Sequence, residues 1–260
     1  MKVLKFGGKS LSGAEGSPLE HSLDIISDQA RMGKILVVCS ARGRSTDMLE
    51  DMLEKAARGE DYSEAFEYFC LRQKAPAEDM DMSAEFAEIK KILEGVALLG
   101  EYSLKIKDRF LSFGEILSCR MVAHLLEKRG FKTRFVDSRH LIKTTDEYGS
   151  ASVIMDVSQK NVKDFFAGAP QDVIEVVTGF IGTTINNQTT TLGRNGSNYS
   201  ATLMASFLDA EEVQNWTNVD GVYTANPNLV EDAQIIPLLS YREANELANF
   251  GTNVLHAKTI

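Results

Sequence analysis

Five apolar residues, Ile35-Leu36-Val37-Val38-Cys39, stand together without a polar interruption. Such a run is typical of a strand buried on both faces, as in a parallel sheet that helices cover. Upstream, Leu19–Met32 has helical spacing, and Val3–Phe6 has the pattern of a short strand that ends at paired glycines. Downstream, a helix is predicted from about Asp47 to Arg58. This β–α–β–α alternation predicts a parallel sheet with right-handed crossovers.

The rest of the chain resumes the alternation after a long helical region. Tyr62–Arg129 has helical patterns and no good strand. Further strands are predicted at Thr133–Val136, Val173–Thr178 and Glu212–Thr217, and further helices at Ser158–Phe166, Ser197–Leu208 and Tyr241–Asn249. Ser240 and Glu243 form a capping box for the last helix, which we expect Gly251 to end. The predicted fold class is α/β, a three-layer α/β/α sandwich around a mainly parallel central sheet.

The composition is that of a globular protein without membrane or secretion signals. The 260 residues are 43% hydrophobic and carry 28 basic against 37 acidic side chains, a net charge of −9. No stretch approaches the roughly 18 consecutive apolar residues of a membrane span. Cys39, Cys70 and Cys119 are far apart, which suggests neither a disulfide framework nor a zinc site. The cysteines are expected to be reduced thiols, which predicts a cytoplasmic location. The acidic balance disfavours nucleic-acid binding, so we expect an enzyme with neither membrane nor nucleic-acid partners.

Three glycine-containing segments are candidates for holding an anion, although neither a Walker P-loop nor a strand-linked GxGxxG occurs. Lys5–Ser10 combines paired glycines with two lysines and a hydroxyl. Ser40–Thr46 follows the buried strand, at the sheet edge where open α/β folds bind ligands. Thr189–Ser200 is a polar loop that leads into a helix N-terminus, with Arg194 available to clamp a carboxylate or phosphate. Together the segments indicate a site for an anionic ligand.

Five ordered segments resemble the amino-acid kinase family, and within it the aspartokinases. The matching segments are Lys5–Ser10 (KFGG-x-S in the family), Ser40–Thr46 (its second glycine loop), Ser112–Glu115 (SFGE), Val177–Phe180 with Thr191–Arg194 (VTGF…TLGR), and Trp216–Thr224 (WTDVDGVYT). The resemblance runs from Lys2 to Ile260 and so covers nearly the whole chain.

The resemblance implies an amino-acid kinase fold over residues 1–260, with a substrate lobe at 1–145 and a nucleotide lobe at 146–260. It implies transfer of the γ-phosphoryl group of ATP, with Mg²⁺, to the side-chain carboxylate of L-aspartate, the first step of lysine, threonine and methionine biosynthesis. In the family, regulatory ACT domains and, in bifunctional members, a homoserine dehydrogenase follow the kinase. We therefore expect this chain to be the kinase part of a longer protein, and we expect the full-length protein to form homo-oligomers.

The resemblance also implies roles for individual residues. Lys5 and Arg194 are the expected catalytic residues, with Lys5 against the transferring phosphate and Arg194 on a substrate carboxylate. The expected substrate-binding residues are Ser40, Thr46, Glu115, Arg194, Ser197 and Asn198, with Glu115 receiving the ammonium group. The expected nucleotide contacts are Lys5, Gly7, Gly8, Ser10, Thr217, Asp220, Tyr223 and Lys258. No residue is expected to ligate Mg²⁺, which ATP oxygens and water would hold. No general base is expected either, because a carboxylate with a pKa near ~4 is already ionised at neutral pH.

Several positions depart from the family pattern. The family usually has Thr where Lys9 stands and Asp where Asn198, Asn218 and Asn226 stand; it commonly has Arg at Asn228, Lys at Asn253 and Pro at Ala257. Lys9 and Lys258 are extra cations that would restore charge to the affected segments.

Three other hypotheses stay open on the sequence alone. The chain could be another phosphotransferase of the same fold, acting on N-acetylglutamate, glutamate, carbamate or UMP, although the SFGE and TLGR segments argue against this. It could also be a non-catalytic nucleotide- or aspartate-binding domain, or a truncated one that a missing region completes. A substrate panel, ATP binding without turnover, and activity restored in a longer chain would separate these cases.

Overall fold

A computed structural model describes residues 1–13, 17–226 and 229–249 of the chain. The strands are β1 (Lys2–Phe6), β2 (Ile35–Cys39), β3 (Lys132–Val136), β4 (Lys143–Thr144), β5 (Val173–Thr178), β6 (Ile181–Thr184), β7 (Thr189–Thr191) and β8 (Glu212–Trp216). The helices are α1 (Pro18–Met32), α2 (Ser45–Ala57), α3 (Ser63–Lys74), α4 (Ser83–Leu99), α5 (Leu104–Lys128), α6 (Met155–Phe166), α7 (Gly196–Phe207) and α8 (Tyr241–Asn249). Within these ranges, no helix combines the length and the apolar character needed to cross a membrane.

The central sheet has five parallel strands in the order β3-β5-β2-β1-β8. β2 is buried along its whole length, as its apolar run predicts. Cys39, its last residue, lies opposite Phe6 of β1 and Thr178 of β5. On the other side of β1, Phe6 lies opposite Trp216 of β8. The carboxyl ends of these four strands therefore meet at one edge of the sheet.

Helices cover both faces of this sheet. Leu4, Val37 and Val176 point to one face, where they share a hydrophobic core with α1, α2 and α5. Val38 and Val177 point to the other face and share a second core with α6 and α7. Neighbouring residues of a strand face opposite sides, so β1, β2 and β5 each contribute to both cores. The predicted α/β class and its three layers are confirmed.

A small second sheet is the main feature that the sequence pattern did not predict. β4, β6 and β7 pair in the order β4-β6-β7, with β6 antiparallel to β7. The strands have two, four and three residues, too few for a periodic pattern to stand out. Backbone pairing joins β6 to both neighbours, and the hydroxyls of Thr144 on β4 and Thr190 on β7 also hydrogen-bond to each other at 2.7 Å. The predicted loop Thr189–Ser200 is thereby corrected to a strand, a short turn and the start of α7.

α5, with 25 residues, is the longest helix and runs through the core. The Ser103 hydroxyl caps its start by accepting the Ile106 N–H at 3.3 Å. Residues 110–119 are all buried, so this part of the helix is enclosed on every side. Arg109 and Arg120 attach α5 to α4 through ion pairs with Glu88 and Glu85, respectively. The helix is fixed in place over much of its length.

The chain divides into two compact units, Met1–Trp216 and Thr217–Ile260. In the second unit, Ser240 and Glu243 form the predicted capping box at the start of α8. The Glu243 N–H donates to Ser240 Oγ at 3.2 Å, and the Ser240 N–H donates to Glu243 Oε2 at 2.8 Å. Gly251, the predicted end of this helix, lies outside the described residues. The division into lobes 1–145 and 146–260 stays a prediction.

Gly8 lets the segments that follow β1 and β2 touch through their backbones. The Gly43 N–H donates to the Gly8 carbonyl oxygen at 2.7 Å. A Cβ added to Gly8 would lie 2.4 Å from the Ala41 carbonyl oxygen and 2.9 Å from that of Gly43. Side chains do not approach backbone oxygens so closely, so only glycine fits here.

Gly8→Ala should lower the free energy of unfolding by roughly 2 kcal/mol, because backbone must move to admit the methyl group. Gly95→Ala is a matched control, since a Cβ on Gly95 in α4 would meet nothing within 4 Å. The free energy of unfolding of that variant should rise by roughly 0.5–1 kcal/mol, because alanine has the higher helix propensity. Urea unfolding of both proteins checks the pair, and equal changes would contradict the close approach at Gly8.

Candidate active site

A cavity of about 580 Å³ lies at the edge of the sheet where β1, β2 and β5 end. Its walls come from the segments after these strands, from the start of α7 and from one face of α5. Eight residues singled out from the sequence line it: Lys5, Gly8, Ser40, Thr46, Glu115, Arg194, Ser197 and Asn198. The parallel register brings together segments that are nearly 200 residues apart in the chain.

Lys5 is a buried cation that lines this cavity. Its exposed fraction is 8%, and no hydrogen bond or ion pair within the described part of the chain offsets the burial of its charge. Burial therefore lowers the pKa of the Lys5 ammonium group to about 8. A Cβ added to Gly7 would lie 3.4 Å from Lys5 Nζ, so the ammonium group lies over the paired glycines. A buried ammonium group without a counter-ion is suited to receive an anion.

Glu115 and Asn198 offer acceptor oxygens to the same cavity. Glu115 is 3% exposed; its Oε1 accepts the Ala41 N–H at 3.1 Å, while its Oε2 has no partner among the described residues. Burial raises the pKa of this carboxyl to about 8. Asn198 Oδ1 is likewise buried without a described partner. Since buried acceptors are nearly always hydrogen-bonded, two such oxygens point to a ligand that donates hydrogen bonds.

The start of α7 adds a second anion-binding element to the cavity wall. Asn195 precedes the helix in a left-handed conformation, with φ of 57°, and its side chain makes no capping hydrogen bond. The first N–H groups of a helix carry partial positive charge, which favours an anion. Arg194 is exposed beside them and lines the same cavity. A guanidinium group beside the positive end of a helix dipole suits a carboxylate or phosphate.

Gly7 and Ser10 lie next to the cavity in sequence but do not line it. The Gly7 N–H and the Ser10 hydroxyl both donate to the Trp216 carbonyl oxygen, at 3.2 and 3.4 Å. They tie the turn after β1 to the end of β8. Their predicted contacts with a nucleotide stay predictions.

The remaining predicted nucleotide contacts belong to the second unit or lie outside the described residues. Thr217, Asp220 and Tyr223 are in the second unit, where the Tyr223 hydroxyl donates to an Asp220 carboxylate oxygen at 3.3 Å. Lys258 lies outside the described residues. Their roles stay predictions as well.

One face of α5 forms a part of the cavity wall that the sequence patterns did not predict. Leu104, Lys107, Asp108 and Leu111 line the cavity together with Glu115. Lys107 also forms an ion pair with Glu50 of α2, which raises the pKa of its ammonium group. A signal was available, because Asp108 precedes Glu115 by seven residues, two helical turns, and such residues share a face.

The sequence that forms this cavity matches a known protein family. The family model for the amino acid kinase family matches residues 1–260. The chain belongs to the amino acid kinase family. The resemblance that the five sequence segments indicated is confirmed.

The individual relatives include bifunctional aspartokinase/homoserine dehydrogenases and an aspartokinase. The chain is 35% identical over 274 residues to a bifunctional aspartokinase/homoserine dehydrogenase of Haemophilus influenzae, with 100% of this chain and 33% of that protein covered. It is 36% identical over 269 residues to aspartokinase 3, chloroplastic, of Arabidopsis thaliana, with 98% and 47% covered. The chain thus spans about a third to a half of the length of these relatives.

A solved structure agrees closely with this fold. It is the crystal structure of E. coli aspartokinase III in complex with aspartate and ADP, in the R-state. The TM-score is 0.88 at 30% identity, and the alignment covers 100% of this chain and 58% of that one. The chain therefore has the amino acid kinase fold.

Lys5→Met should stabilise the ligand-free protein at pH 7 by roughly 2–3 kcal/mol, because it removes a buried charge. The pKa of Lys5 falls from 10.5 in the unfolded chain to about 8 on folding. The wild-type protein therefore gains stability as the pH rises from 8 to 10.5, and the difference between the proteins should narrow over that range. Thermal unfolding between pH 7 and 10 measures it.

Lys2→Met provides the control, since Lys2 is on the same strand but is half-exposed and paired with Glu212. That variant should change stability little at any pH. A pH-independent difference for Lys5→Met would contradict the buried, unpaired charge.

Proposed function

We propose that this chain carries aspartate kinase activity, the transfer of the γ-phosphoryl group of MgATP to the side-chain carboxylate of L-aspartate. The proposal is supported by membership of the amino acid kinase family and by the similarity to aspartokinases. One observation carries it: the cavity that holds the buried, unpaired ammonium group of Lys5 also holds the unpartnered Oε2 of Glu115. These groups suit a ligand set that brings an anion and an ammonium group to one place.

The two substrates of an aspartate kinase fit this pair of groups. The ammonium group of L-aspartate binds between Glu115 Oε2 and Asn198 Oδ1, and Arg194 holds a substrate carboxylate. Ser40, Thr46 and Ser197 line the same space. The transferring phosphoryl group lies against Lys5, with Gly8 in the wall beside it. In the complex, the substrates therefore pair with the buried groups of the cavity that are unpaired in the ligand-free protein.

The chemical step needs positioning and positive charge rather than a base. A side-chain oxygen of aspartate forms a bond to the γ-phosphorus, the bond from that phosphorus to the β–γ bridging oxygen breaks, and ADP leaves. The attacking carboxylate is already ionised at neutral pH, so no proton moves. Both reactants are anions, and their repulsion is the main obstacle. Lys5, together with the Mg²⁺ that ATP brings, offsets the charge on the phosphoryl oxygens.

The nucleotide side of the proposal rests on the sequence resemblance. Gly7, Ser10, Thr217, Asp220, Tyr223 and Lys258 are the proposed contacts there. Mg²⁺ enters as part of the MgATP substrate, and no group of three or more metal-binding side chains occurs in the described ranges. The substrate and nucleotide lobes, at 1–145 and 146–260, and a homo-oligomeric parent protein complete the proposal.

Hydroxylamine trapping of the acyl phosphate tests the activity directly. With MgATP and L-aspartate the chain should form aspartyl hydroxamate, while L-glutamate and N-acetyl-L-glutamate should give none. Lys5→Met should reduce the rate at least ~100-fold, because the transferring phosphoryl group loses its cation. Lys2→Met should keep it.

The panel also separates the other hypotheses. Hydroxamate formed from glutamate or N-acetylglutamate instead of aspartate would show that the substrate is another acid. ATP binding without hydroxamate from any acid would indicate a binding domain, and activity that appears only in a longer chain would indicate an incomplete one.

Glu115→Gln tests the ammonium site. The amide keeps one acceptor oxygen but removes the negative charge, so KM for L-aspartate should rise about 10-fold or more, while KM for MgATP changes little. Initial-rate kinetics at pH 8.5, above the raised pKa of Glu115, measure both constants. An equal rise of both constants would place Glu115 elsewhere than on the substrate ammonium group.

A further inference from the structure

Asp108 on α5 is a buried carboxylate that joins two loops of the cavity wall. It is 1% exposed. Its Oδ2 accepts the N–H groups of Gly149 and Thr191, each at 2.9 Å, and its Oδ1 accepts the Thr191 hydroxyl at 2.8 Å. Three donors from two segments about 40 residues apart therefore converge on one side chain.

The same two loops are also joined to each other. The Ala151 N–H donates to the Thr191 carbonyl oxygen at 2.8 Å. A Cβ added to Gly193 would lie 3.1 Å from Ser150 Oγ, so the second loop packs closely on the first. Asp108 joins both loops to α5 through its hydrogen bonds with Gly149 and Thr191.

The segment that Asp108 holds is the one that carries Arg194. Thr191 is fixed by Asp108, and the next residue, Leu192, donates its N–H to the Phe180 carbonyl oxygen at 2.8 Å. The Gly193 carbonyl oxygen accepts the Gly196 N–H at 3.0 Å, where α7 begins. The backbone on both sides of Arg194 is thus fixed, while its own side chain is exposed at the cavity.

The hydrogen bonds of Asp108 to Gly149 and Thr191 form a clamp between the two loops. α5 connects this clamp to Glu115, the proposed acceptor of the substrate ammonium group. Asp108 and Glu115 lie two turns apart on one face of the helix and both line the cavity. The backbone at Arg194 is therefore placed relative to Glu115 by a rigid, buried helix. A substrate held at one end by Glu115 and at the other by Arg194 needs this distance to be constant.

We propose that Asp108 is a positioning residue for the amino-acid substrate, which sets the place of Arg194 by holding Thr191 and Gly149 against α5. The inference rests on the proposed function for its substrate, whereas the clamp itself does not. Asp108 acts through its hydrogen-bond geometry and not through its charge. Burial raises the pKa of its carboxyl. Burial thus disfavours the negative charge, which agrees with a role that depends on hydrogen-bond geometry.

Two substitutions separate geometry from charge. Asp108→Asn can keep all three contacts, because its oxygen can accept both N–H groups and its NH₂ can donate to the Thr191 hydroxyl. Asp108→Ala loses all of them. We expect Asp108→Ala to raise KM for L-aspartate at least 10-fold while KM for MgATP stays within threefold, and Asp108→Asn to keep both constants within threefold of wild type.

Glu175→Ala is the matched structural control. Glu175 is a carboxylate that is equally buried, and it accepts two hydrogen bonds from Arg134 at 2.7 Å, but it does not line the cavity. Its loss should lower stability and the active fraction without changing KM for L-aspartate. An Asp108→Ala variant that behaves in the same way would overturn the positioning role. An Asp108→Asn variant as impaired as Asp108→Ala would also overturn it, in favour of a role for the charge.

Amide hydrogen exchange tests the clamp without any turnover. Residues 145–151 and 189–196 should exchange at least 10-fold faster in Asp108→Ala than in wild type or Asp108→Asn, while β1 and β2 stay unchanged. Unchanged exchange in these loops would overturn the clamp. If the wild-type protein forms no hydroxamate, the proposed function fails, and the exchange result still decides whether Asp108 holds the two loops.

Discussion

The parallel register of four strands is the constraint on which the site depends. Phe6, Cys39, Thr178 and Trp216 end their strands level with one another. Every segment that leaves these strands must therefore turn away at one edge, and the helices that follow begin there. The cavity exists because three such segments cannot fill that edge by themselves, and α5 closes its remaining side. A slip of one residue in β1 would turn Lys5 to the opposite face of the sheet.

The electrostatics of the cavity show a balance between stability and binding. Burial pushes the pKa of Lys5 down and that of Glu115 up, both to about 8, so each group resists its charged form. The hydrogen bond from Ala41 and the close packing at Gly8 hold the walls despite this cost. Groups that destabilise the empty cavity gain partners when a ligand of opposite charge arrives. The free energy lost in folding is thereby available for recognition.

The sequence predicted the frame of the molecule better than the finer parts of its site. The apolar run of β2 and the helical spacing of α1 are local patterns, and both elements appear within a residue of the predicted bounds. Lys5, Glu115 and Arg194 were found because they lie in segments with a recognisable pattern, and all three line the cavity. Asp108 was not singled out, since its hydrogen bonds are with Gly149 and Thr191, which no local pattern connects to it. Strands β4, β6 and β7 were missed because two to four residues are too few for an alternating apolar pattern.

The position of β1 inside the sheet has a consequence for how the chain acquires its structure during synthesis. β1 pairs on one side with β2, which follows about 30 residues later, but on the other side with β8, about 210 residues later. At roughly 5–20 residues per second, a ribosome needs on the order of ten to forty seconds to make the intervening chain. During that interval one edge of β1 has unpaired N–H and C=O groups, which is the kind of edge that pairs with other chains. The ion pair between the Met1 amino group and Glu211, at 2.8 Å, can form only after this interval. A nascent chain of this fold therefore carries an open edge on an interior strand until the last neighbour of that strand has been made.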